Sequence, residues 1–121
     1  MKNFHDLHVW ERSHRLTLTV YAATTKFPRE ELFGLTSQIR RCAVSIGANI
    51  AEGCGKLGNA EFQRFLQIAA GSSSELDYEL LLAKDLGYLT QPDYSGIADE
   101  LSQIRRMLSS LLRKVNVERK G

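Results

Sequence analysis

Hydrophobic residues recur every three to four positions along most of the chain, and no useful stretch alternates strictly between apolar and polar. A period near 3.6 belongs to an α-helix with one buried stripe, so the pattern predicts an all-α chain of four segments. The first, about residues 7 to 27, directs Leu7, Trp10, Leu18, Val20 and Tyr21 inward, and Pro28 stops it by disfavouring helix in the residue before it. The second, 36 to 52, opens on Thr36 as an N-cap. It gives way to an exposed turn carrying Gly53, Gly55, Gly58 and Asn59. The third, 60 to 86, is capped by Asn59, buries Phe62, Phe65, Leu66, Ala69, Leu76, Leu80 and Ala83, and stops at Gly87. The fourth, 94 to 117, takes Asp93 or Ser95 as its cap and carries a seam of Ile97, Leu101, Ile104, Leu108, Leu111, Leu112 and Val115. Residues after Val117 are expected to fray. Short connections favour antiparallel neighbours, which makes the expected architecture an antiparallel up-down-up-down four-helix bundle, one domain over residues 1–121.

The second segment has two stripes of opposite character. Ile39, Ala43, Ile46 and Ile50 fall on one side, and Gln38, Arg41, Ser45, Asn49 and Glu52 on the other. A solvated face usually fills with Lys and Glu. Short hydrogen-bonding groups flanked by Gly47, Ala48 and Ala51 instead suit close contact with another helix or subunit. Counting outward from a loop centred near Lys56 places Arg41 level with Gly71, so a bidentate pair with Glu75 one turn away is expected, with subunit or ligand contact as the alternative.

Composition adds boundaries. A chain of 121 residues, 43% hydrophobic and 25% charged, suits one soluble domain with a continuous core. Its longest apolar run, Leu80 to Ala83, is far too short to span a membrane. The amino terminus carries charge where a secretory signal needs an apolar core, so the expected location is cytoplasmic. Cys42 and Cys54, about 18 Å apart along a helix, cannot pair and are expected to be free, structural thiols. The net charge is only +2, but it is segregated. Seven acids face one base between Glu75 and Glu100, whereas Arg105, Arg106, Arg113, Lys114, Arg119 and Lys120 face only Glu118. Arg105, Arg106, Arg113 and Lys114, aided by Arg12 and Arg15, form a candidate phosphate-binding surface, with a solvated helix face as the alternative.

Other candidate chemistry is weaker. His5, His8 and His14 with Glu11 come from one short stretch, whereas a closed zinc site draws ligands from more than one element. Ser72, Ser73 and Ser74 beside Glu75 complete no triad and are expected to aid helix packing. The G-x-G-x-x-G at Gly53, Gly55 and Gly58 follows a helix rather than a strand, which removes the dinucleotide context. A weakly held anion near Lys56 at the start of the third helix is the alternative. No catalytic residue, metal ligand or cofactor is assigned, and an enzyme is not expected.

FGLTSQIRRCAVSIGANIAEG at 33–53, EFQRFLQIAAGSSSEL at 61–76 and LAKDLGYL at 82–89 resemble the four helix bundle protein family. It is also called the 23S rRNA-intervening sequence protein family, because some members are encoded within large-subunit ribosomal RNA genes. FHDLHVWERSHRLTLTVY and FPREELFGL resemble the family's usual opening. The resemblance implies an antiparallel bundle that assembles as a homopentamer and has no known catalytic activity. The family is similar to the accessory protein of diversity-generating retroelements, a basic pentameric barrel that binds nucleic acid and a reverse transcriptase. Two functions are therefore expected in competition: a non-enzymatic oligomer that binds RNA or DNA, and a protein-interaction scaffold without a nucleic-acid role.

Overall fold

In the computed structural model, which describes residues 2–120, the apolar periodicity becomes four helices: α1 (His8–Thr24), α2 (Leu35–Cys54), α3 (Asn59–Asp85) and α4 (Gln91–Lys120). Short 3-10 turns at Phe4–Asp6 and Arg29–Glu31 precede α1 and α2, and the described residues contain no strand. Each helix packs against two others, α1 and α3 both lying against α2 and α4, which is a four-helix bundle. Pairings advance along one helix as they retreat along its neighbour: Cys42 meets Glu75 and Ser45 meets Ser72, while Arg40 meets Thr24 and Thr17 meets Ala43.

One continuous core holds the helices together. The stripes of α2 and α3 are buried as their spacing predicts, from Ile39 to Ile50 and from Phe62 to Ala83. In α4, Ile97, Leu101, Ile104, Leu108 and Val115 are buried, with Leu111 and Leu112 half-buried against them. Each fully buried Leu or Ile contributes roughly 1.5–3 kcal/mol of transfer free energy, so this core is the main cohesive term. At Gly53 α2 and α3 nearly touch: a Cβ there would lie 3.0 Å from the Cβ of Phe65 and 3.1 Å from a ring carbon of Phe62.

α1 departs from expectation. Leu18 and Tyr21 are exposed, and the buried face is Val9, Ser13, Leu16, Val20 and Thr24. Ser13 and Thr24 are tolerated inside because their hydroxyls donate to the carbonyls of Val9 and Val20. These two polar core positions blurred the apolar stripe.

Helix ends also differ. Thr36 lies inside α2, buried, with its Oγ1 unpartnered, and the N-cap is Gly34. The Leu35 N–H donates to the Glu31 carboxylate, which also accepts from the Tyr88 hydroxyl. Gly58, not Asn59, precedes α3. α4 starts at Gln91, ahead of both proposed caps, with the Asp93 N–H donating to the Thr90 hydroxyl. α2 continues through Gly53 and Cys54, which are buried rather than part of an exposed turn, and α4 remains helical beyond Val117. Gly87 does end α3: at φ 83° it allows the Tyr88 and Gly87 N–H groups to reach the carbonyls of Ala83 and Lys84.

Candidate functional site

Two regions carry the polar chemistry: a seam where α2 meets α3, and the outer face of α4. In the seam, Ser45 and Ser72 exchange a hydroxyl hydrogen bond of 2.8 Å, and Asn49 donates to both the carbonyl and the hydroxyl of Ser45. One turn away Cys42 Sγ donates to Glu75 Oε2 at 2.8 Å. A cleft of ≈ 310 Å³ opens there, with Gln38 and Arg41 at its exposed side and buried Glu79 at its floor.

The expected Arg41–Glu75 pair is not formed. Arg41 is exposed and bonds Ser37 at 3.0 Å, while Glu75 receives Cys42. The reason is the helix face. Cys42 and Glu75 are equidistant from the Gly58–Asn59 junction, so α2 and α3 pair about a centre beyond Lys56; Arg41 then stands level with Leu76, close to Glu75 along the axis, but about 100° round α2 from Cys42 and on the exposed side. The polar stripe divides: Ser45 and Asn49 turn towards α3, whereas Gln38, Arg41 and Glu52 remain exposed.

Glu79 is the residue the sequence did not single out. It is 5% exposed, and its Oε1 has no hydrogen-bond partner. Burial holds its carboxyl above the ordinary range, and the neighbouring Glu75 charge adds to the shift. Burial, followed by the bond to Glu75, also pushes the Cys42 thiol far up, so this thiol is not a ready nucleophile. The available signal was the four-residue spacing from Glu75, which puts both carboxyls on one face of α3. A shifted register hid it.

The three serines have separate fates. Ser73 is buried and donates to the Ala70 carbonyl, Ser72 bonds Ser45, and Ser74 accepts from Arg105. His5 and His14 pack on Trp10, with ring centroids 5.2 and 5.3 Å away, and no histidine joins a metal-competent group among the described residues. Lys56 lies over the Phe65 ring.

The basic candidates separate by partner. Arg12 makes a two-pronged bond to Glu100, at 2.7 and 2.8 Å, and reaches Gln103. Arg15 stands 3.9 Å from Glu11, and Arg105 bonds Asp77 on α3. Among the described residues, Arg106 and Arg113 bond serines of their own helix, Ser102 and Ser110. Lys114 is exposed beside Arg113, and Arg106 and Lys114 border a shallow apolar groove with His8 and Met107. Arg119 bonds Gln63. The described residues include no helix long and apolar enough to cross a membrane.

Among proteins already grouped by family, residues 5–110 match the model described as 23S rRNA-intervening sequence protein. The chain belongs to that family. A solved structure similar to this chain is that of a Bacteroides thetaiotaomicron VPI-5482 protein of unknown function from the S23 ribosomal protein family. It is 28% identical and superimposes with a TM-score of 0.78 over 86% of this chain and 97% of its own. No curated protein matches the chain.

Proposed function

We propose that this 23S rRNA-intervening sequence protein is a non-enzymatic oligomer that binds RNA or DNA through the carboxy-terminal half of α4. The observation that carries the proposal is the difference among its bases. Arg106, Arg113 and Lys114 are exposed and engage no carboxylate in the described ion pairs, whereas Arg12, Arg15 and Arg105 are held by Glu100, Glu11 and Asp77. Arg106 and Arg113, seven positions and about 10.5 Å apart along α4, lie on one face, with Lys114 at its edge, so several phosphate contacts can be made from one side of the helix. The +2 charge of one chain gives a modest grip on a polyanion, and repetition around a homopentamer multiplies it. The resemblance of the family to the accessory protein of diversity-generating retroelements, read from sequence, points to the same assembly and ligand class.

Fluorescence anisotropy with structured RNA at low salt tests the proposal. Binding that weakens with salt and is lost on combining Arg113→Glu with Lys114→Glu is the expected result. Absence of binding, or indifference to those changes, overturns it. Light scattering tests the pentamer directly, and a monomer sinks it.

One observation favours a protein-docking scaffold as a second reading. Tyr21, Leu32, Phe33 and Val44 form an exposed apolar surface across α1, α2 and their connection, with Phe33 94% exposed. Within the first proposal this surface joins subunits. A protein partner retained after nuclease digestion, on a protein that binds no nucleic acid, selects the scaffold instead.

A further inference from the structure

We propose that Cys42, Glu75 and Glu79 form a zinc site that clamps α2 to α3. The Cys42 Sγ and one carboxylate oxygen from each glutamate all lie within 4.8 Å of one another. The donors come from two helices, Glu75 and Glu79 sharing one face of α3 and Cys42 facing them from α2. Metal sites in helical bundles are built in this way, from side chains projecting inward on facing helices.

A separate observation points to a ligand. Glu79 is 95% buried by its 5% exposure, yet its Oε1 is unpartnered and faces the same cleft. A buried acceptor without a donor loses its hydration and gains nothing in return, a cost that a bound cation removes. None of the described ion pairs reaches Glu75 or Glu79. The cation bordering the cleft, Arg41, is bonded to Ser37. Gln38, Ser45 and Ser72 line the rest of the cleft, whose ≈ 310 Å³ leaves room for water at a fourth position.

The donor set selects the ion. A thiolate disfavours magnesium and calcium, while carboxylates suit zinc better than a purely thiophilic ion such as Cu(I). Around tetrahedral Zn²⁺ a thiolate sulfur and a carboxylate oxygen stand about 3.5 Å apart. The Cys42–Glu75 separation of 2.8 Å therefore has to open by less than about 1 Å, which the exposed Glu75 side chain permits. On binding, the Cys42 thiol proton leaves to solvent as the sulfur–zinc bond forms, with no change of oxidation state. Two carboxylates and a thiolate exceed the charge of the ion by one, and Arg41 at the cleft edge offsets the excess.

The experiment uses the full chain, reduced and stripped with chelator, and titrates it with Co²⁺ and then Zn²⁺. One Co²⁺ per chain is expected, with near-ultraviolet thiolate-to-cobalt absorption and the visible bands of a four-coordinate ion, both bleached by Zn²⁺. Zn²⁺ also raises the melting temperature. Cys54→Ala leaves the spectrum intact, Cys42→Ala abolishes the charge-transfer band, and Glu79→Gln weakens Zn²⁺ binding by roughly a hundredfold. No saturable binding, or a band that survives Cys42→Ala, overturns the proposal. If Cys42→Ala fails to fold, Cys54→Ala decides the sulfur alone: its band retained supports Cys42, its band lost overturns it. Nucleic-acid binding plays no part in these readouts.

Discussion

The α2–α3 seam and the outer face of α4 use many of the same polar residue types, yet neighbouring elements give them opposite roles. In the seam, Ser45, Asn49, Ser72 and Cys42 find partners on the facing helix or their own, so polarity becomes a device for register. On α4, Ser102 and Ser110 bond arginines of their own helix, and Arg106 and Arg113 keep their charge facing water. A polar residue in this bundle is read by what stands opposite it, not by its own chemistry.

The largest expected contrast comes from charge reversal on α4. Combining Arg106→Glu, Arg113→Glu and Lys114→Glu should lower affinity for structured RNA by about a hundredfold or more at low salt. Urea unfolding should move by no more than about 0.5 kcal/mol, since these side chains are exposed and join none of the described ion pairs. Collapse of the fold together with binding would erase the distinction between the two regions.

Overpacking the seam should do the reverse. Gly53→Val places carbon against Phe65 and Phe62 where even a Cβ is tight, and should cost about 3 kcal/mol in urea titration while leaving α4 chemistry untouched. Unchanged stability would mean that α2 and α3 can separate without penalty.

Arg12 and Glu100 are an intermediate case, a basic candidate spent on a bond between α1 and α4. The hydrogen bond from Arg12, and then its charge, hold the Glu100 carboxyl below its ordinary range. A depressed carboxyl contributes stability that is present above its unfolded pKa, near 4.5, and is lost as pH falls below that value. Both side chains are partly solvated, so Arg12→Ala should lower the melting temperature only slightly at neutral pH. Thermal melts across the acid range should show the difference between wild type and Arg12→Ala closing as pH drops. A gap that persists to low pH would assign the effect to packing of the Arg12 stem.

The smallest effect is the hydroxyl pair of the seam. A double-mutant cycle on Ser45→Ala and Ser72→Ala should return a coupling of about 0.5–1 kcal/mol. Strict additivity would mean that the hydrogen bond contributes nothing beyond its two ends.

The stripes of α2, α3 and α4 were legible in the sequence because each contains an unbroken series of large apolar residues whose period needs no partner to interpret. α1 was less so. Ser13 and Thr24 occupy its buried face, and only backbone carbonyls within bonding reach explain why they belong there. The candidate residues of α4 stood out as a run of bases, but which of them are spent on Asp77 or Glu100 depended on which helices lie alongside.

The sequence by itself determined four amphipathic helices, the core stripes of α2, α3 and α4, the segregated charge and the family. Periodicity and composition are local properties, fixed before any two helices meet. Tertiary structure decided the pairing register, because helix ends set by Gly34, Gly58 and Gly87 fix where one helix stands level with the next. That register brought Cys42 to Glu75 above the buried carboxyl of Glu79, while Arg41, on the exposed side of α2, bonds Ser37 instead. Pairing between residues more than thirty positions apart is a property of packed helices, and no periodicity within one helix encodes it.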